Sequence, residues 1–210
     1  QYKGIIFDIN GILEYQGKVY PQAISLIQEL RKKDIEIRVL SNATLKSRSS
    51  CAEKLNKLGF DFKKDEIITA SYASASYLHT LKPKSCWVML QEEGLDEFKD
   101  FTLDTHNPDY IVMGDFRDGF NFQNMNRALQ LLLKGSKLIA MIPEMVDSSI
   151  KDTELTVGAY ARMLELASGV KATYIGKPNK YAFDMCLKTM SLPSNQVLMV
   201  GDRLHTDILR

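Results

Sequence analysis

Four short segments of this 210-residue chain bring together side chains that could hold and move a phosphoryl group. They are Asp8-Ile9-Asn10-Gly11, Ser41-Asn42-Ala43-Thr44, Gly176-Lys177-Pro178-Asn179, and Gly201-Asp202-Arg203-Leu204-His205-Thr206-Asp207. In order they offer an acid, a hydroxyl, a lysine and a pair of acids. Carboxylates bind hard divalent cations, while a lysine and the amides at a helix start neutralise phosphate oxygens. Each segment alone has an ordinary structural reading. Asp8 and Asn10-Gly11 would form a turn, Ser41 and Thr44 would cap a helix, and Lys177 would be a solvated charge. The acids near residue 202 would suit the start of a helix. Turn chemistry does not readily account for all four in this order.

The elements that must carry these groups follow from the hydrophobic pattern. Short apolar runs at residues 3–8, 35–40, 66–69, 86–90, 110–114, 137–142, 173–176 and 197–201 read as buried strands. Helical spacing appears at 23–31, 45–58, 124–133 and 160–167. This alternation predicts an α/β architecture with parallel sheets, in which a site lies beyond the carboxyl ends of the strands. All four chemical segments fall at such ends. A dinucleotide-binding Rossmann fold is disfavoured, because no GxGxxG follows the first run. The stretches near Lys82-Pro83-Lys84 and Lys171 are the expected domain crossings.

Composition narrows the field further. With 27 Lys plus Arg against 26 Asp plus Glu, the net charge is +1, which argues against a general nucleic-acid or anionic-membrane binder. At 45% hydrophobic and 25% charged residues the chain lies in the ordinary globular range. No apolar run approaches the roughly 20 residues of a membrane helix. Cys51, Cys86 and Cys186 are sparse and unpaired in spacing, which suits a reducing, cytoplasmic setting better than a disulfide framework or a zinc site.

The ordered set resembles the haloacid dehalogenase (HAD) superfamily. Asp8-Ile9-Asn10-Gly11-Ile12-Leu13 is similar to its first motif, Ser41 to its second, Lys177 to its third, and Gly201 through Asp207 (GDRLHTD) to its fourth. Ile67-Ile68-Thr69-Ala70-Ser71 and Leu131-Leu132-Leu133-Lys134-Gly135 add to a likeness with class IIA. This subgroup contains NagD-like nucleotidases, pyridoxal phosphate phosphatase and phospholysine/phosphohistidine phosphatase. The resemblance implies a Rossmann-like core at 1–82 and 172–210 and an inserted α/β C2-type cap at 83–171. It also implies further core elements after residue 210.

For function, the resemblance implies a Mg²⁺-dependent phosphatase that works through an aspartyl-phosphate on Asp8. Mg²⁺ would be held by the carboxylates of Asp8 and Asp202 and the backbone carbonyl of Asn10, with Asp207 behind them. Ser41, the Asn42 amide and Lys177 would hold the transferring oxygens. The substrate would be a small phosphorylated molecule, such as a phosphoamino acid or pyrophosphate. Subgroup members often dimerise through the cap.

One position departs from the family. Asn10 stands where the motif carries the aspartate that protonates the leaving group and then activates water, and a carboxamide does neither. Loss of a positioned acid/base costs about 10²–10⁴ in rate. Attenuated or leaving-group-selective hydrolysis is therefore expected, with a weakly catalytic phosphate-binding or regulatory protein, or a phosphotransferase, as the alternatives. The loop Pro143-Glu144-Met145-Val146-Asp147 is the expected substrate-facing cap segment. His106, Arg117 and His205 receive no catalytic role.

Overall fold

The computed structural model describes residues 2–148 and 152–208. Gln1 and Arg210, the outer ends of the expected core segments, lie outside them. In chain order the first elements are β1 (Gly4–Phe7), β2 (Glu14–Tyr15), β3 (Lys18–Val19), α1 (Ala23–Lys32), β4 (Glu36–Ser41), α2 (Arg48–Lys57), β5 (Ile67–Thr69) and α3 (Ala70–Leu81). There follow β6 (Cys86–Met89), β7 (Tyr110–Met113), α4 (Phe122–Leu133), β8 (Lys137–Ala140), β9 (Val146–Asp147) and β10 (Glu154–Leu155). The last are α5 (Val157–Ser168), β11 (Ala172–Tyr174), α6 (Lys180–Met190) and β12 (Val197–Val200). The expected α/β class with parallel sheets holds.

The chain forms two compact units. The first comprises Gln1–Asn42, Arg48–Thr69 and Lys177–Arg210; the second comprises Ala43–Ser47 and Ala70–Gly176. The chain thus passes between units four times, and α3 groups with the second, whereas the sequence crossing was read after it, at 82–83.

The first unit is built on a parallel sheet of order β12-β1-β4-β5. β1 lies between strands from opposite ends of the sequence, with Phe7 level with both Val39 and Val200. The chain's progress across the sheet reverses at β1, and ligands collect beyond strand carboxyl ends at such a reversal. Phe7, Ile9, Leu13, Ile27, Ile37, Val39, Leu55, Phe60, Phe62 and Ile67 form the core on one face. Five of the six residues of β4 are buried, including Arg38. A buried guanidinium needs partners, and Arg38 donates to the Thr189 hydroxyl (2.9 Å) and the carbonyls of Thr189 and Ile37 (both 2.7 Å). Those bonds tie β4 to the end of α6.

The second unit has its own parallel sheet, of order β11-β8-β7-β6. Helix α4 starts at Phe122, before the spacing alone suggests, because the Asn121 side chain accepts the Asn124 N–H (3.0 Å) as an N-cap. α5 ends at Gly169, whose φ of 76° is a left-handed C-terminal conformation. The helix expected over 45–58 begins only at Arg48, since 43–47 is bonded elsewhere in the second unit.

Candidate functional site

The loop that carries Asp8 is folded tightly on itself. The Asp8 N–H donates to the Val200 carbonyl (2.9 Å), which fixes the start of the loop against β12. Beyond it, Leu13 and Glu14 both donate to the Ile9 carbonyl, and Gly11 donates to that of Glu14 (3.1 Å). Gly11 has φ +82°, and a Cβ there would run into the Asp202 carboxylate. Glycine is required on both counts. Glu14 is fully buried; its carboxylate accepts from Lys54 (2.6 Å) and from the Gly17 N–H (2.8 Å), which holds the β2–β3 hairpin shut.

Lys177 stands at the centre. Its ammonium lies 2.9 Å from Asp8 Oδ1 and 2.6 Å from Asp207 Oδ1, and the residue is only 3% exposed. Asp207 lies in a π-helical turn, Leu204–Ile208, where its second oxygen accepts the Arg203 N–H (3.1 Å). Gly201 lets that carboxylate approach, for a Cβ on residue 201 would overlap it. Asp8, Asp202 and Asp207 each present a carboxylate oxygen within 4.8 Å of the others. Burial pushes the Asp8 carboxyl above the usual aspartate range, more strongly than the Lys177 ammonium pulls it down, and the Asp207 charge adds to the rise.

Those three carboxylates and one ammonium leave a surplus of two negative charges. An all-oxygen donor set with that surplus fits a hard divalent cation such as Mg²⁺ or Ca²⁺ better than a thiophilic metal. The Gly11–Asp202 approach serves the same fit, since a side chain at position 11 would push Asp202 off the cluster.

Ser41 closes β4 and is buried, level with Thr69 of β5. Asn42 does something the sequence did not suggest. Its side-chain Oδ1 accepts the Lys177 N–H (2.8 Å) while its Nδ2 donates to the Lys177 carbonyl (3.0 Å). Asn10 is exposed, its backbone bridged to Glu14. The groups at 8, 42, 177, 202 and 207 are thus brought together within the first unit, from positions far apart in sequence. His205 is exposed on the same turn as Asp207. The residues denied a role lie in the second unit: His106 is exposed beside Asp104, and Arg117 pairs with Asp115 and Glu154. In the expected cap loop Met145 is exposed, whereas Met141 before it is fully buried.

Two family models match the chain: haloacid dehalogenase-like hydrolase over residues 5–104 and HAD-hydrolase-like over residues 174–210. Human haloacid dehalogenase-like hydrolase domain-containing protein 2 is 31% identical over 206 residues, which span 98% of this chain and 78% of that protein. Rat phospholysine phosphohistidine inorganic pyrophosphate phosphatase is 30% identical over 214 residues, spanning 98% and 77%. Among solved structures, p-nitrophenyl phosphatase from Archaeoglobus fulgidus superposes with a TM-score of 0.91 at 26% identity, covering 99% of this chain and 81% of its own. NagD from E. coli K-12 gives 0.90 at 26% identity, covering 99% and 82%.

Proposed function

The chain belongs to the haloacid dehalogenase-like hydrolases and is a phosphatase, and on that premise we propose that Asp8 is the nucleophile of a two-step, Mg²⁺-dependent phosphoryl transfer. The observation that carries this reading is the Lys177 ammonium held between Asp8 and Asp207 at the carboxyl end of β1. In the first step an Asp8 oxygen bonds to phosphorus and the leaving group departs with its electron pair, giving an aspartyl-phosphate. In the second, water attacks that phosphorus, the bond from phosphorus to the Asp8 oxygen breaks to restore the carboxylate and release phosphate, and the water's proton passes to solvent. Lys177 offsets the repulsion between an anionic nucleophile and an anionic substrate, and Ser41 donates its hydroxyl to a phosphate oxygen.

The residues that would hold Mg²⁺ are Asp8 and Asp202 through their carboxylates and Asn10 through its backbone carbonyl. Asp207 orients the set through Lys177 and the Arg203 amide. The ion would supply charge neutralisation at the phosphate oxygens. Asn10 has no proton to give or take, so the leaving group is protonated by solvent. Turnover is therefore selective for leaving groups that need little protonation, those of aryl and acyl phosphates rather than of alkyl phosphates. The activities for which the rat and Archaeoglobus relatives are named support phosphoamidates, pyrophosphate and aryl phosphates as candidate substrates. Asn10 equally favours a second reading, in which slow water activation leaves a phosphoenzyme that passes its phosphoryl group to another acceptor.

The second unit is assigned as the cap, a C2-type insertion, supported by its own four-stranded parallel sheet. Dimerisation through it is part of the proposal, supported by Phe122 and Leu166, which are 83% and 85% exposed. Three buried cysteines, none of them in a disulfide, support a reducing, cytoplasmic location, and no described helix is long and apolar enough to cross a membrane.

The experiment is turnover of p-nitrophenyl phosphate with and without Mg²⁺, together with acid trapping of a phosphoenzyme. Asp8→Asn is expected to abolish both product and trapped phosphate. Retained Mg²⁺-dependent turnover in that variant would remove Asp8 as the nucleophile.

A further inference from the structure

We propose that Asn42 is a positioning residue whose carboxamide fixes the backbone of Lys177 and thereby holds the ammonium between Asp8 and Asp207. The inference rests on the reading of Lys177 as the cation of the phosphatase site. Residues 42 and 177 are 135 positions apart, yet one side chain satisfies both backbone polar groups of the other residue, at 2.8 and 3.0 Å. Lys177 has no strand or helix of its own to do this. β11 ends at Tyr174 and α6 starts at Lys180, and the preceding amide, that of Gly176, donates to Met141 in the second unit (2.7 Å).

The clamp also falls at a particular place in the chain. Asn42 is the last residue of the first unit before Ala43–Ser47, and Lys177 is the first residue after Gly176. Two of the four passages between units are therefore stitched together on the first unit's side. The same stitch joins Ser41, the residue before Asn42, to the lysine. A lysine side chain has four rotatable bonds and is normally the least fixed of cations. Here its ammonium is pinned at one end by two carboxylates and its backbone is pinned at the other by the amide. Removing the amide frees the backbone end, and small misplacements of charged groups in a site cost up to about 10²-fold in rate.

The test uses the full chain and three readouts: hydrogen exchange at the Lys177 amide, steady-state turnover of p-nitrophenyl phosphate, and thermal unfolding. Asn42→Ala is expected to accelerate exchange at Lys177 and to lower kcat by about 10- to 100-fold. Asn42→Asp keeps an acceptor for the Lys177 N–H but sets a carboxylate against its carbonyl. It should retain the slow exchange and lose less activity, and it serves if the alanine variant does not fold. In a Lys177→Met background, Asn42→Ala should lower the residual rate by less than about twofold, because two residues acting through one group are not additive. Unchanged exchange at Lys177 in Asn42→Ala, or accelerated exchange in Asn42→Asp, would overturn the proposal. So would a full additive loss in the double variant, or a fall in Tm with kcat intact. If the wild-type chain does not turn over the aryl phosphate, the phosphatase mechanism fails while the exchange measurement still decides the clamp.

Discussion

In the proposed mechanism, an amide in place of a carboxyl at position 10 leaves the departing oxygen to find its proton in solvent. The penalty scales with the basicity of that oxygen, so rates should fall steeply from aryl to alkyl phosphates. Asn10→Asp should flatten the dependence and raise alkyl turnover by about 10²–10⁴, measured as the slope of log kcat/KM against leaving-group pKa. A wild-type slope near zero would sink the argument. At this scale the clustering of Asp8, Lys177, Asp202 and Asp207 was legible in the sequence, because polar groups after the apolar runs of a parallel α/β fold gather at one end of the sheet. The partner of Asn42 was not. Its amide bonds lie 135 residues away, and nothing local distinguishes a capping asparagine from one that reads another residue's backbone. Glu14 was missed for a related reason, since a glutamate in a two-residue strand gives no sign that it will be buried and paired with a lysine.

Individual elements were legible where periodicity reaches a core and illegible where it does not. The strands of both sheets declared themselves as apolar runs. Helix α3 did not, because Ala70, Ser71, Ala73, Ser74 and Ala75 are all buried and leave little contrast between its faces. The two-residue strands β2, β3, β9 and β10 are too short to show any period. The junction of α5 with β11 shows how an element can be held by one charge. Glu165 is buried and accepts from Arg162 (2.8 Å), the Ala172 N–H (2.7 Å) and the Tyr174 hydroxyl (3.0 Å). Burial alone would raise its carboxyl, but Arg162, the Ala172 amide and the Tyr174 hydroxyl together bring it below its ordinary value of 4.5. Tyr174 is correspondingly pushed up to about 12, by burial first and then by the bond to Glu165. A carboxyl depressed in the folded state contributes stability that is complete above its unfolded value and disappears as pH falls through the folded one. Glu165→Gln should therefore cost about 1–2 kcal/mol at pH 7 and progressively less below about pH 4.5. Urea titrations of both proteins between pH 7 and pH 3 measure this. A difference that stays constant to pH 3 would remove the charge from the explanation.

Over the whole molecule, the three cysteines report on global integrity. Cys51, Cys86 and Cys186 are buried, and burial pushes the thiols of Cys86 and Cys186 up to about 11 and about 12. Thiolate is the reactive form, so the native chain at pH 8 should leave all three unmodified by an aromatic disulfide reagent until denaturant is added. Rapid labelling of any of them in the native protein would contradict the burial described above. The two-unit organisation was only partly legible. The family resemblance implied a discontinuous core interrupted by an insertion, but the passages at 42–43, 47–48 and 69–70 carry no proline or glycine signal. They are set by contacts. Thr44 accepts the Asp115 N–H (3.1 Å), Leu45 that of Gly94 (2.9 Å), Lys46 the Ser71 hydroxyl (2.9 Å), and the Lys46 ammonium meets Glu93 (3.0 Å).

That five-residue excursion has a bearing on how such chains can be recombined. A chimera that exchanges residues 70–176 with those of a relative, keeping one continuous cut, would leave the native pentapeptide to bond with foreign partners, and the side chains of Ser71 and Glu93 are the ones at risk. The transferable module is two segments of gene. The shorter one encodes the residues that immediately follow Ser41 and Asn42, so exchanging the second unit between relatives means editing the coding sequence right beside the clamp on Lys177.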